Sequence, residues 1–331
     1  MNGFLTTRIA AIAIAAAAVT PAAVEAAGLD LSTYQVSLVR GLQFDEASGV
    51  TYNWDRNSLM VVGDEGTAME FTTSGDRYSG VFDYLGVSTY NDLEIAAYVG
   101  NGQYVFGNER TMRASLVGVD QVNMVDMGGG LTRYFFTPPV EAQSYSFSGG
   151  VNVGNIGLEG ITYDPITGGF FAVKENNPQA IYFVDQIAPN ATRTTPFDVA
   201  SLGLQTLSDI MALSNNPNYA GADFYSNLLI LSQSSQKLLE VTRTGELVSS
   251  FDLSNIFGDA SRVTVIEGVT IDHAGNIYLV AELGGDPSSL IVLSRANAGV
   301  PEPATWAMLI AGFGLVGGAM RRRARTTVSF A

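Results

Sequence analysis

Leu158-Glu159-Gly160-Ile161-Thr162-Tyr163-Asp164-Pro165-Ile166-Thr167-Gly168-Gly169-Phe170-Phe171-Ala172-Val173-Lys174-Glu175 reads as two β-strands joined by a tight turn. Ile161 to Tyr163 and, apart from Ala172, Phe170 to Val173 are β-branched or aromatic, the side chains that suit a pleated, half-buried surface. Between them, Asp164 to Gly168 supplies the residues a reversal needs. Pro165 fixes φ, Asp164 can bond its own backbone, and Gly168 accepts a positive φ.

The same unit recurs along the chain. Ser48-Gly49-Val50-Thr51-Tyr52 is followed by Leu59 to Glu65, and Leu93-Glu94-Ile95-Ala96-Ala97-Tyr98 by Tyr104 to Glu109. Leu207-Ser208-Asp209-Ile210 is followed by Leu228 to Gln233, and Ile266-Glu267-Gly268-Val269-Thr270-Ile271 by Ile277 to Glu282. The lead positions 48, 94, 159, 208 and 267 lie 46, 65, 49 and 59 residues apart, which is propeller-blade spacing with insertions. Asn101-Gly102 and Asp272 to Asn276 supply the same turn chemistry as Asp164 to Gly168.

Third strands are expected at Ala68 to Thr72, Ala114 to Val119, Ala180 to Val184, Lys237 to Thr242 and Ser289 to Leu293. Fourth strands are expected near Tyr78 to Tyr84, Thr132 to Phe136, Thr194 to Val199 and Leu247 to Leu253. The fifth unit lacks a fourth strand, and Tyr34 to Val39 is a strand without a unit. Pairing the two closes the ring and removes the exposed edges. The expectation is an all-β chain folded as a single β-propeller of five four-stranded blades. A sixth blade stays open in the long interval from Gln121 to Ile156, and no helical period of useful length interrupts the pattern.

Both ends read as addresses. Arg8 precedes an apolar small-residue run, Ile9 to Val19, and then Pro21 and Ala22 to Ala27, with Val24 and Ala26 at the −3 and −1 positions of a secretory cleavage site. Residues 1–26 are therefore expected to be a leader removed by signal peptidase, 27–299 the propeller, 300–325 a sorting or anchor segment and 326–331 a short tail. The C-terminal segment reads Val300-Pro301-Glu302-Pro303-Ala304-Thr305-Trp306, an uncharged run to Met320, and Arg321-Arg322-Arg323-Ala324-Arg325. The 17 residues from Ala304 to Met320 are at the short end of a membrane-spanning helix, with arginines marking its cytoplasmic side. This tail resembles the PEP-CTERM sorting signal of Gram-negative bacteria. The resemblance implies recognition by an exosortase, cleavage near Pro-Glu-Pro, transient anchoring in the inner membrane, and release or attachment at the cell surface, often alongside exopolysaccharide production. A plain transmembrane helix acting as anchor is the alternative.

The 331 residues contain no Cys and one His, so disulfide frameworks, thiol catalysis and poly-Cys or poly-His metal sites are excluded. Between the two ends stand 12 basic and 30 acidic side chains, a net charge of −18, which repels nucleic acid and anionic surfaces and favours cations. If the first strand of each unit lines the channel and the second runs back beside it, strand-one leads and strand-two ends share one rim. The leads bring Asp92, Glu94, Glu159, Asp209 and Glu267, and the ends bring Asp64, Glu65, Glu109, Glu175 and Glu282. Only Arg110 and Lys174 stand beside them in sequence. Converging carboxylates need a cation, a proton or a base. An all-oxygen set points to a hard ion, and Ca2+ tolerates the irregular geometry of a propeller mouth. The other reading is that some are solvated turn residues and others, Glu159 and Glu267 above all, bond backbone N–H groups of a neighbouring blade.

Gly157 to Pro165, Lys174-Glu175-Asn176-Asn177-Pro178, Ile266-Glu267-Gly268-Val269 and Leu238-Leu239-Glu240-Val241 carry a resemblance to the SdiA-regulated (YjiK-like) β-propeller family, over most of residues 33–296. It implies an extracytoplasmic protein, an architecture related to bacterial propeller phytases, and a link to calcium. Ser48-Gly49, Ser208-Asp209 and Ser232-Gln233 depart from a full ring of acids. Three function classes follow. The first is a Ca2+-binding module that binds ligands or scaffolds the envelope or extracellular matrix, with a polysaccharide or envelope partner. The second is a Ca2+-dependent hydrolase of phosphate esters or lactones, which would want more bases around an anionic substrate than Lys174 and Arg110. The third is a matrix protein with no ligand. His273 in its turn and the Gly128-Gly129-Gly130 run supply neither a catalytic triad nor a phosphate loop.

Overall fold

The structure, a computed structural model, describes residues 28–78, 81–82, 92–128, 131–136, 140–256, 265–283 and 286–296. Its strands alternate sharp reversals with short β-rich runs, so most strands pair antiparallel with the next and the chain builds one small sheet before starting another. The N-terminal strand is β1 (Tyr34–Gly41). The first sheet is β2 (Ala47–Asn53), β3 (Ser58–Gly63) and β4 (Thr67–Thr72). The second contains β5 (Val81–Phe82), β6 (Leu93–Gly100), β7 (Gln103–Asn108), β8 (Arg113–Gly128), β9 (Leu131–Phe136) and β10 (Ser144–Ser146). The third is β11 (Leu158–Asp164), β12 (Gly169–Lys174), β13 (Ala180–Val184) and β14 (Arg193–Thr194). The fourth is β15 (Asp209–Ala212), β16 (Leu228–Ser232), β17 (Lys237–Val241) and β18 (Leu247–Asp252). The fifth is β19 (Val265–Ile271), β20 (Ile277–Leu283) and β21 (Asp286–Arg295), and β1 pairs antiparallel with β21, Tyr34 opposite Arg295, to complete it.

These are five blades of a propeller, closed by the N-terminal strand. The Gln121–Ile156 interval forms no sixth blade. It lengthens β8 to 16 residues, returns as β9, and lays β10 back along β8, Tyr145 opposite Ala114. In blade 1 the expected fourth strand begins at Asp76 to Tyr78, whose backbone bonds Thr72 and Glu70 of β4, and Val81–Phe82 pairs in parallel with β9 of blade 2. The rest of that expected strand, like the leader, the apolar segment 304–320 and the arginine cluster, lies outside the described residues. Among the described residues no helix is long and apolar enough to cross a membrane.

The period of two along each strand explains the packing, because successive side chains point to opposite faces and each face meets a different neighbouring blade. Leu59 and Val61 of β3 join the core shared with blade 5, whereas Met60 and Val62 join the core shared with blade 2. Phe170 and Ala172 face blade 2, and Phe171 and Val173 face blade 4. Five apolar cores therefore sit at the five blade junctions, the last of them filled by Leu229, Leu231, Ile277, Leu279 and the N-terminal Leu29 and Leu31. This double burial is why β3, β12 and β16 are buried along their whole length.

The innermost strands touch edge to face around the axis, and threonines stitch them. Thr51 Oγ1 accepts the Tyr98 N–H (2.9 Å), Thr162 Oγ1 the Ala212 N–H (3.1 Å), and Thr270 Oγ1 the Tyr52 N–H (3.0 Å). Val50, Ala96, Ile161, Met211 and Val269 crowd the axis and leave a cavity of about 10 Å3, room for about one water. These side chains narrow the channel beneath its mouth, the acidic cup.

Candidate functional site

A β-bulge at the start of the first strand aims the lead residues. In β2, β6, β11 and β19 the pairing register skips one residue, and the skipped residues are Ser48, Glu94, Glu159 and Glu267. In blade 4 the N–H of Ser208 bonds Leu231 while Asp209 also pairs with Leu231, so Ser208 holds the equivalent place. A bulge sets two residues against one and re-aims a side chain. The repeated bulge presents three glutamates and two serines around one rim.

The strand-two ends stand beside them and are fixed by the next blade. The Asp64 carbonyl accepts the Asp92 N–H (2.7 Å), that of Glu109 accepts the Leu158 N–H (3.4 Å), and that of Glu175 accepts the Leu207 N–H (3.3 Å). Close approach requires small residues here. A Cβ on Gly160 would stand 2.6 Å from Asp209 Cα, and one on Gly268 would stand 2.8 Å from the Val50 nitrogen.

One oxygen from each of Glu109, Glu159 and Glu175 lies within 4.8 Å of the others. Two oxygens on one Ca2+ are separated by at most twice a bond of about 2.3–2.6 Å, so this triad matches a single ion. Glu109 is 3% exposed and accepts the Gly157 N–H (3.3 Å). Burial raises the carboxyl of Glu109, with Glu175 nearby adding to the effect, and burial with the charges of Glu94, Glu109 and Glu175 holds Glu159 well above the carboxylate range.

Across the cup a second group gathers around Asp64. Burial pushes Glu94 up to about 8, reinforced by Asp64, Glu109 and Asp92. Burial pushes Glu267 up to about 9, reinforced by Glu94, Glu282, Asp64 and Glu109. Glu282 is raised by burial and by Asp64. Asp64 Oδ1 is itself buried with no hydrogen-bond partner. An orphaned buried carboxylate oxygen among raised carboxyls is the environment a hard cation would relieve, so the residues present fit Ca2+.

Eight of the ten acids expected at the rim are thus brought together: Asp64, Asp92, Glu94, Glu109, Glu159, Glu175, Glu267 and Glu282. Asp209 is placed differently. It occupies the position that holds glycine in blades 1, 3 and 5, and its fully buried carboxylate accepts the N–H groups of Val269 in the next blade (2.7 Å) and of its neighbour Ile210 (2.7 Å). The backbone-bonding role considered for Glu159 and Glu267 is carried by Asp209. Glu65 is exposed at the turn after β3. Glu46 was not anticipated. It sits two residues before the bulge, as Asp92 does in blade 2, and the charge of Asp64 raises its exposed carboxyl. That offset, applied to each lead, was the signal.

The two expected counter-charges stand at the edge of this acidic group. Arg110 pairs with Asp92 (3.1 Å) and donates to Asn155 Oδ1 (3.1 Å). Lys174 donates its ammonium to the carbonyl oxygens of Asn176 and Pro178 (3.4 Å for the second), and burial lowers its pKa. Neither cation hydrogen-bonds the triad, although the charge of Arg110 partly offsets the rise at Glu109 and that of Lys174 the rise at Glu175.

Among solved structures, Myxococcus xanthus glutaminyl cyclase shares 12% identity, covering 80% of this chain and 97% of that one, with a TM-score of 0.46. The soluble aldose sugar dehydrogenase of Escherichia coli, in its apo-form, shares 10% identity over 79% of this chain and 100% of its own, with a TM-score of 0.40. The Myceliophteria thermophila Cps50 (Swd1) β-propeller domain shares 12% identity over 75% of this chain, which spans 65% of that chain's length, with a TM-score of 0.40. Likeness at this level carries no argument about activity. Residues 299–323 match the PEP-CTERM protein-sorting motif, the mark of an exported protein sorted to the surface. With residues 26–284 matching its profile, the chain belongs to the SdiA-regulated family.

Proposed function

We propose that this exported propeller is a Ca2+-binding module, with the ion held in the acidic cup by Glu109, Glu159 and Glu175 and the second group, Asp64, Glu94, Glu267 and Glu282, supplying further oxygens or charge. The observation that carries this reading is the Glu109, Glu159 and Glu175 triad, three carboxylates with one oxygen of each within 4.8 Å of the others. Bound Ca2+ would supply positive charge, and the protein would supply a ring of carboxylates open to ligands on one side. Binding is favoured over ester hydrolysis because Arg110 is paired with Asp92 and Lys174 with the carbonyls of Asn176 and Pro178, which leaves both committed to the protein rather than to an anionic substrate. Held at the surface after exosortase processing of its tail, the module would present an ion-filled mouth to envelope or matrix components such as polysaccharide.

Calorimetry of the chelated protein with Ca2+, and with Mg2+ as control, tests the reading. Calcium-selective heat that disappears in Glu159→Gln and Glu109→Gln is the expected result. Equal heats for both ions, or undiminished binding in both variants, would overturn it.

A further inference from the structure

The chain leaves the propeller on the face opposite the carboxylates. Along the inner strands the lead glutamate and the turn aspartate are five positions apart, Glu159 from Asp164 in blade 3 and Glu267 from Asp272 in blade 5. At the rise of a strand, the cup and the face of hairpin turns are thus roughly 15 Å apart along the axis. The last strand, β21, starts on the cup side, with Asp286 opposite Leu283 beside Glu282, and runs back to the turn face, with Leu293 opposite Ile277. Its end is pinned to the turn between β19 and β20. The Ser294 hydroxyl donates to Asn276 Oδ1 (2.8 Å), and Tyr34, which pairs with Arg295, donates its hydroxyl to the Gly275 carbonyl oxygen (2.8 Å). The Ala296 N–H then bonds the Thr33 carbonyl oxygen (2.7 Å).

Only seven residues, Asn297 to Pro303, separate Ala296 from the uncharged run Ala304 to Met320. Even fully extended they hold Ala304 within about 29 Å of Ala296. About half of that length would be needed merely to climb from the turn face to the level of the cup rim. A bilayer that holds residues 304–320 therefore meets the turn face at short range, and meets the cup only with the tether drawn straight up the side of the propeller. The turn face has side chains that suit an interface. Ile166, in the turn between β11 and β12, is 47% exposed, and Trp54 and Tyr163 are half-buried at the ends of their hairpins. Trp and Tyr are the rings that favour the headgroup level of a membrane.

We infer that, while the tail is in the bilayer, the propeller rests with its turn face towards the lipid and its carboxylate mouth turned away from it. The inference rests on the reading of 304–320 as a membrane anchor, and it deepens the proposed function by fixing the direction in which the mouth is presented. It holds whether or not the mouth carries an ion. In this orientation the cup carboxylates stand beyond a Debye length of about 8 Å from the membrane surface, so their repulsion from anionic lipid is screened. An ion or ligand from outside reaches the mouth without crossing the headgroup layer.

The chain has no Cys, so one introduced thiol places a fluorophore at a single point. The full chain is reconstituted through its tail into phosphatidylcholine vesicles bearing a headgroup-attached quencher, under chelation, with the label at Ile166→Cys on the turn face or at Glu65→Cys, exposed on the cup rim. Flotation with the vesicles, and loss of fluorescence at 166 but not at 65, is the expected result. Equal quenching at both positions, stronger quenching at 65, or none at either in protein that floats would overturn the orientation. Protein that does not float would overturn it through the anchor on which it rests. Should either variant fail to fold, Ala274→Cys and Gln43→Cys, exposed on the same two faces, give the same readout. Calcium calorimetry on the unlabelled protein decides the metal reading separately, so failure of one is distinguishable from failure of the other.

Discussion

Replacing Glu267 by Gln should make the metal-free protein more stable, although it removes a residue from the candidate site. The Glu267 carboxyl sits at about 9 in the folded chain against 4.5 as its ordinary value. Folding at neutral pH must therefore take up a proton. The contribution of the protonated form is complete below 4.5 and is lost as pH rises through 9. Across the roughly 2.5 pH units between 4.5 and 7, at about 1.36 kcal/mol each, the cost approaches about 3 kcal/mol, and solvent at the open side of the mouth screens part of it. Gln keeps the shape of the protonated acid without its titration. In urea denaturation under chelation, Glu267→Gln is expected to exceed the parent by about 2 kcal/mol at pH 7, to converge with it below pH 4.5, and to show a flatter decline towards pH 9. With Ca2+ at about 100 times its dissociation constant the parent gains about 2.7 kcal/mol and the order reverses. A metal-free variant less stable than the parent at pH 7, or one with an unchanged pH slope, would refute the account of the cup as a set of carboxyls held in unfavourable ionisation.

Asp209→Ala should act in the opposite sense, because it strands the buried N–H groups of Val269 and Ile210. A loss of about 3–5 kcal/mol in urea with Ca2+ heat per folded molecule unchanged is expected. Arg243→Ala removes the guanidinium that grips the fully buried Asp164 at 2.7 and 2.9 Å from 79 residues away, and should cost about 3–5 kcal/mol by the same assay. Thr162→Val leaves the Ala212 N–H without its hydroxyl acceptor and should lower stability by about 1–2 kcal/mol, with a matching rise in amide exchange at Ala212.

Legibility differed between the fold and the site for a physical reason. Strand runs, turn residues and their recurrence are local, and a period of two with Asp, Asn, Gly and Pro between runs is visible in any window of about 20 residues. Ring closure was legible as well, since an orphan strand and an incomplete unit are complementary. The departures came from contacts between segments. The long β8 with its return in β9 and β10 has no turn signal that separates an extended blade from an extra one, and blade 1 sends Val81–Phe82 to its neighbour's edge.

At the site, strand-lead and strand-end positions predicted which acids would share a rim, but position along a strand does not say which way a side chain faces. The skipped register at Glu94, Glu159 and Glu267 turns those residues into the mouth, and the one-residue offset of Asp209 turns it into the neighbouring blade's backbone. Lys174 reads as a counter-charge beside Glu175, yet its four-carbon stem lets the ammonium choose the carbonyls of Asn176 and Pro178.

The sequence by itself determined the repeating antiparallel unit, the number of leads, the acidic balance and the sorting signal at the C-terminal end, because each is written in neighbouring residues or in composition. Only the tertiary structure decided which carboxylates converge, which are consumed by backbone N–H groups, and that Glu240 of blade 4 takes the N–H of Leu29. Charges interact through space over a few ångströms, and the spacing between residues 29 and 240, or 209 and 269, is set by closing the ring.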